Sequence, residues 1–166
     1  MDLLVIFCAT YLIVVPPVVL LVYVALASVE IKRKLTLLAA ISLPIAYGVS
    51  KIADALYYNA RPFVVDGVAP LVAHAAENGF PSNHMLLAAM VAALVCVYNR
   101  PLGCVLGAIA LCIGTARVLA GVHHTLDIVG SVVIAAAVVI GVYVSIRRAP
   151  WYYSDIIHQY IASWQK

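Results

Sequence analysis

The chain has 166 residues, 66% hydrophobic and only 10% charged, with a formal net charge of +3 and a mean hydropathy of +1.08. A soluble domain carries about 25% charged residues and leaves many of its residues facing water. Soluble globular, disordered, collagen-like and nucleic-acid-binding classes are therefore excluded. An all-α, polytopic membrane helix bundle remains, with room for about five spans of ~20 residues.

The first apolar run, Leu3 to about Ala27, follows Asp2 with no basic region and no small-residue cleavage site, so it reads as a retained span. Pro16-Pro17 at its middle predicts a kink there. Glu30 to Lys34 reads as a short basic loop. The second run is Leu35 to about Tyr58, ending in an interfacial Tyr57-Tyr58 pair. Asn59 to Phe80 is too polar for a span and reads as a loop with a short interfacial or re-entrant helix near Val68–Glu77. Spans three, four and five are Pro81–Tyr98, Leu102–Ala120 and Thr125–Ile146. Pro81 suits a first helical turn. The tail, 151–166, reads as interfacial, and residues 1–166 read as one domain. Cys8, Cys96, Cys104 and Cys112 lie in apolar runs without metal-ligand spacing and read as buried small hydrophobes.

Five spans place Lys32, Arg33, Lys34, Arg100, Arg147, Arg148 and Lys166 on one side, and Lys51, Arg61 and Arg117 on the other. Seven basic residues against three put the N-terminus outside and the C-terminus inside. The three outer cations run against that bias and call for a functional reason. They share their side with His84, His123, His124 and Asp127. His123 and Asp127 are four apart at a helix start and share a face. A carboxylate there fixes the tautomer of the imidazole and leaves its other nitrogen as nucleophile or base. Cations and helix N-terminal N–H groups around it make an anion site suited to phosphate. Pro81-Ser82-Asn83-His84 adds backbone donors, a hydroxyl and a second His, the general acid that a leaving group needs.

Arg61-Pro62, Pro81-Ser82-Asn83-His84, and Arg117 followed by His123 and Asp127 resemble the three signature motifs of the type-2 phosphatidic acid phosphatase superfamily, K-x6-R-P, P-S-G-H and S-R-x5-H-x3-D. Ala116 stands for Ser and Asn83 for Gly, with the third motif's spacing kept. The resemblance implies that His123 is a nucleophile forming a phosphohistidine, that Asp127 orients it, and that His84 protonates the leaving group. It also implies that Arg61, Arg117, Ser82 and Asn83 cradle phosphate, with neither metal nor cofactor. Asp54 occupies the position of the family Lys, and the nearest Lys, Lys51, lies one turn earlier. Lys51 either reaches the phosphate from there or pairs with Asp54 on its own helix.

Other outer residues read more plainly. His74 and Glu77 suit a solvated helix face, and His124 suits either substrate contact or the turn itself. Ser82 is open to a helix cap as well as a phosphate contact. Arg-Pro-Phe at 61–63, Phe-Pro-Ser-Asn-His at 80–84 and the short length resemble the undecaprenyl-diphosphatase branch associated with bacitracin resistance. That implies a multi-pass protein of the cytoplasmic membrane, acting at its outer face on a carrier-lipid diphosphate released in cell-wall synthesis. Phosphatidylglycerophosphate or phosphatidic acid hydrolysis, lipid phosphotransfer, and a non-enzymatic anionic-lipid binder or transporter are the alternatives.

Overall fold

The computed structural model describes residues 1–148. The tail expected to be interfacial, 151–166, lies outside the described residues. The first run forms α1 (Asp2–Thr10), a 3-10 turn (Leu12–Val14) and α2 (Val15–Leu26). α3 (Val29–Leu56), α4 (Pro62–Asp66), α5 (Asn83–Cys96), α6 (Arg100–Leu119) and α7 (Thr125–Arg148) follow. The stretches Asp2–Leu26, α3, α6 and α7 are long and apolar enough to cross a membrane, and α5 is a shorter apolar helix among them. The described residues contain no strand, only an isolated bridge between Ala60 and Asn78.

Three local expectations are corrected. The first span breaks at Tyr11–Val14, upstream of Pro16-Pro17, and both prolines fall in the first turn of α2. Proline has no N–H to give the carbonyl four residues back, so the chain tightens before the pair. A first turn, by contrast, needs no N–H from it. Glu30–Lys34 is helix rather than loop. Ser28 Oγ accepts from Ile31 N at 3.4 Å and starts α3 at Val29, and Lys34 pairs with Glu30 one turn away. The short helix between spans two and three lies at Pro62–Asp66, not at Val68–Glu77. Pro62 fits its first turn, and Gly67, at φ 68°, ends it. Beyond it the backbone finds partners elsewhere: Leu71 N donates to Ala120 O (3.0 Å) and Gly79 N to Asn59 O (2.8 Å).

α5 is apolar on every side and forms the centre of the bundle. Met85, Ala88, Met90, Val91, Leu94 and Val95 are at most 2% exposed, as suits a helix with no polar face. It packs on α6, α7, α2 and α3, while α3 leans on α7 and α1 on α6. A tight turn capped by Asn99 joins α5 to α6. The 14 residues of α5 against the 20 of α6 leave its N-terminus about 9 Å short of the α6 end, and Met85 accordingly sits beside Gly114. The recess so formed is roofed by residues 59–80 and bounded by the α6–α7 turn. The start of α1 and the end of α3 open on the same face.

Candidate active site

α6 ends at Leu119, and Gly121, at φ 74°, turns the chain towards α7. A side chain is strained in that conformation. Val122 is then fully buried, and His123 is buried beside it. Asp127, in the first turn of α7, is 0% exposed. Its Oδ2 accepts from His124 N at 2.8 Å and lies 3.3 Å from His123 Nδ1, while Oδ1 accepts from Asn59 Nδ2 at 2.7 Å. A carboxylate that accepts from Nδ1–H leaves Nε2 with the lone pair. Burial, above all, holds the His123 pKa below its ordinary value. The hydrogen bond to Asp127 opposes this, and Arg61 and Arg117 reinforce it. That direction favours the uncharged imidazole at neutral pH, the form that can act as a nucleophile or a base.

Two guanidinium groups converge on that nitrogen. Arg61 Nη1 lies 3.3 Å and Arg117 Nη2 3.5 Å from His123 Nε2. Arg61 donates further to Val122 O (2.9 Å) and Asn78 O (3.1 Å), and Arg117 Nη1 to Ala9 O (3.3 Å). The break after α1 is what frees the Ala9 carbonyl for this bond. Both arginines are buried, and the Nε of each has no partner. Burial pulls the Arg61 pKa down against Glu77 and Asp127, but a guanidinium starts so far above neutrality that it keeps its charge.

These groups line a cavity of about 240 Å³, shared with Lys51, Asp54, His74, Glu77, Asn83 and His84. Arg61, Arg117, His123, His84, Asn83 and Lys51 thus meet in one place, with Asp127 behind His123. Ser82 does not line the cavity. It sits at the N-cap of α5 without a side-chain cap bond, and its Oγ is buried and unpartnered. Its carbonyl accepts from Ser131 Oγ at 3.0 Å, and its N donates to Asp127 O at 3.4 Å. Lys51 and Asp54 share the cavity wall, yet among the described residues Lys51 forms no ion pair. Its Nζ lies 5.6 Å from the centre of the Tyr47 ring.

Several site residues escaped the sequence reading. His74 and Glu77, expected on a solvated helix face, lie on irregular chain over the cavity. The His74 ring meets that of His123 edge to face at 6.1 Å, and Glu77 Oε1 is 3.6 Å from Arg61 Nη2. Asn59 braces Asp127 and lies 3.4 Å from His124 Nδ1, which leaves His124 on the turn rather than at the cavity. Asn78 Oδ1 accepts from Asn59 N and Phe80 N, and its Nδ2 donates to Asp54 O and Tyr57 O. An Asn on either side of Arg61-Pro62, in so apolar a chain, was the available signal.

Residues 33–151 match the PAP2 superfamily. The chain belongs to this superfamily and is a membrane-embedded phosphatase, an enzyme that hydrolyses phosphate esters or diphosphates. Among its relatives is undecaprenyl-diphosphatase BcrC of Bacillus subtilis, 30% identical over 81% of this chain and 69% of its own. The bacitracin transport permease protein BcrC of Bacillus licheniformis is 25% identical over 81% of this chain and 64% of its own. The chain thus spans about two thirds of the length of these relatives. A crystal structure of a transmembrane PAP2-type phosphatidylglycerolphosphate phosphatase from Bacillus subtilis aligns over 86% of this chain and 82% of its own, with TM-score 0.48 and 19% identity.

Proposed function

We propose that this phosphatase converts undecaprenyl diphosphate to undecaprenyl phosphate and inorganic phosphate through a phosphohistidine on His123. The observation that carries the reading is His123 Nε2, with Nδ1 held by the buried Asp127 and two guanidinium groups at 3.3 and 3.5 Å. That nitrogen attacks the terminal phosphorus in line. Arg61 and Arg117, with Lys51, neutralise the phosphoryl oxygens, and Asn83 at the same cavity helps to hold them; Ser82, which does not line the cavity, takes no part. The bond from phosphorus to the bridging oxygen breaks, and His84 protonates the departing lipid phosphate. Water then attacks the phosphohistidine, His84 takes its proton, and phosphate leaves. Asp127 stabilises the charge that develops on His123. Two guanidinium groups and a Lys supply the positive charge, so no metal is required.

The prenyl diphosphate is supported by the name of the Bacillus subtilis relative and by the short roof of limited polarity, which suits a lipid whose reactive end is mainly phosphate. The distribution of Lys and Arg supports an outward-facing site in the cytoplasmic membrane, fed from the outer leaflet. The described residues act as one phosphatase unit.

The test is phosphate release by the detergent-purified protein in EDTA. The panel is undecaprenyl diphosphate, farnesyl diphosphate, phosphatidylglycerophosphate and phosphatidic acid, with His123→Ala as control. Prenyl diphosphate preference that disappears in the variant supports the proposal. A glycerolipid preference would keep the chemistry and replace the substrate. Release only on addition of a divalent ion would overturn the metal-free cradle. No release by folded protein would favour an anionic-lipid binder or transporter.

A further inference from the structure

The roof carries a carboxylate that this mechanism does not use. Glu77 Oε1 stands 3.6 Å from Arg61 Nη2; its side chain is 67% exposed and that of Arg61 5%. Arg61 has five N–H groups. Nη1 faces Val122 O and His123 Nε2, Nη2 gives one bond to Asn78 O, and Nε has no partner. Nε–H is buried, so an incoming anion is left the second Nη2–H, a charge-assisted donor. Glu77 stands at that same nitrogen, Nη2.

A phosphoryl group that engages Arg61 there must displace Glu77, and Glu77 has water to move into. Resting on the reading of this cavity as a phosphate site, we propose that Glu77 is an internal competitor for Arg61. It yields when the substrate's terminal phosphate enters and returns to Arg61 as inorganic phosphate leaves. Glu77 thereby sets how tightly the enzyme holds phosphate and how readily it releases the product. Its exposure keeps the effect in the range of a surface ion pair, about two- to fivefold in affinity.

The experiment measures inhibition by inorganic phosphate and by orthovanadate, on whichever lipid phosphate the wild type turns over. The variants are Glu77→Gln, Glu77→Asp and Asp66→Asn, the last removing an exposed charge that does not line the cavity. Glu77→Gln should lower both inhibition constants and KM about two- to fivefold, with Glu77→Asp nearer the wild type and Asp66→Asn unchanged. Tighter binding is a gain that structural damage would not produce. Unchanged or weaker inhibition in Glu77→Gln overturns the proposal, as does an equal gain in Asp66→Asn. Failure of the phosphatase reading would show differently, as a wild type without turnover. Calorimetric titration of the same variants with inorganic phosphate would then decide the role of Glu77 by the same criterion.

Discussion

Arg61, Arg117, His123 and Asp127 are at most 4% exposed, and each is held by backbone or side-chain partners from distant parts of the chain. Across the same cavity Lys51, Asn83 and Glu77 are exposed and His74 is half-buried, with far fewer bonds to fix them. The difference follows from what each side can tolerate. In the proposed mechanism, in-line attack requires the nucleophile and its counter-charges to stay fixed as charge develops, and a buried, hydrogen-bonded wall would supply that at no reorganisation cost. Admission and release of a charged group require side chains that move, and those stand at the rim. Substitutions in the wall should therefore cost turnover, and those at the rim should change affinity.

The largest effect is expected at the wall. His123→Ala should lower turnover at least about a thousandfold while the helical circular dichroism is preserved. Near wild-type turnover in this variant would break the comparison at its strongest point. Asp127→Asn should cost about 10²- to 10⁴-fold in kcat with KM little changed, since the imidazole loses its carboxylate and the phosphate keeps both arginines. A loss confined to KM would move Asp127 from the nucleophile to the substrate.

The electrostatics of the wall make a second claim. With its pKa lowered, His123 stays neutral as the pH falls through the ordinary histidine value of about 6.5 and protonates only below it. The acid limb of kcat/KM should therefore lie under that pH. Arg61→Gln removes one of the cations that depress His123, so its residual activity should show an acid limb at higher pH. A shift to lower pH would reverse the assigned cause.

The wall was also the part legible in the sequence. His123 and Asp127 are one helical turn apart, and helix geometry alone places them on one face. Arg117 sits at the end of a helix that its apolar run located, whereas the third run was expected to start as helix at Pro81 and does so at Asn83, after the cap position Ser82. The roof was illegible for a physical reason. His74, Glu77 and Asn78 act from chain without a period, Asn78 through bonds to backbone groups and the other two through side chains distant in sequence, none of which residue identity announces. The Ala9 carbonyl at Arg117 is the extreme case, since a carbonyl has no sequence signature and became available only where the chain tightened before Pro16-Pro17. The start of α3 failed differently. Charge over 30–34 suggested a loop, while the local cap at Ser28 favoured helix.

Asn78 joins the two regions, since its side chain bonds four backbone groups and its carbonyl receives Arg61. Asn78→Ala leaves several of those groups without partners, at about 1–3 kcal/mol for each one that stays buried. Thermal unfolding should fall, and kcat should fall with it as Arg61 loosens. A stable variant with intact kcat would show that the wall stands without its roof.

The smallest effect is expected at Lys51. Lys51 is exposed, and its Nζ lies near the Tyr47 ring with no carboxylate partner among the described residues, so Lys51→Ala should raise KM about two- to fivefold and leave kcat nearly unchanged. Asp54 faces the same cavity one turn further along α3. If a cation on this wall matters more than its register, Asp54→Lys in the Lys51→Ala background should bring KM back, because one helical turn is within the reach of a lysine side chain. A double variant no better than Lys51→Ala alone would mean that Lys51 acts from its own position, and the rim would then be as position-dependent as the wall.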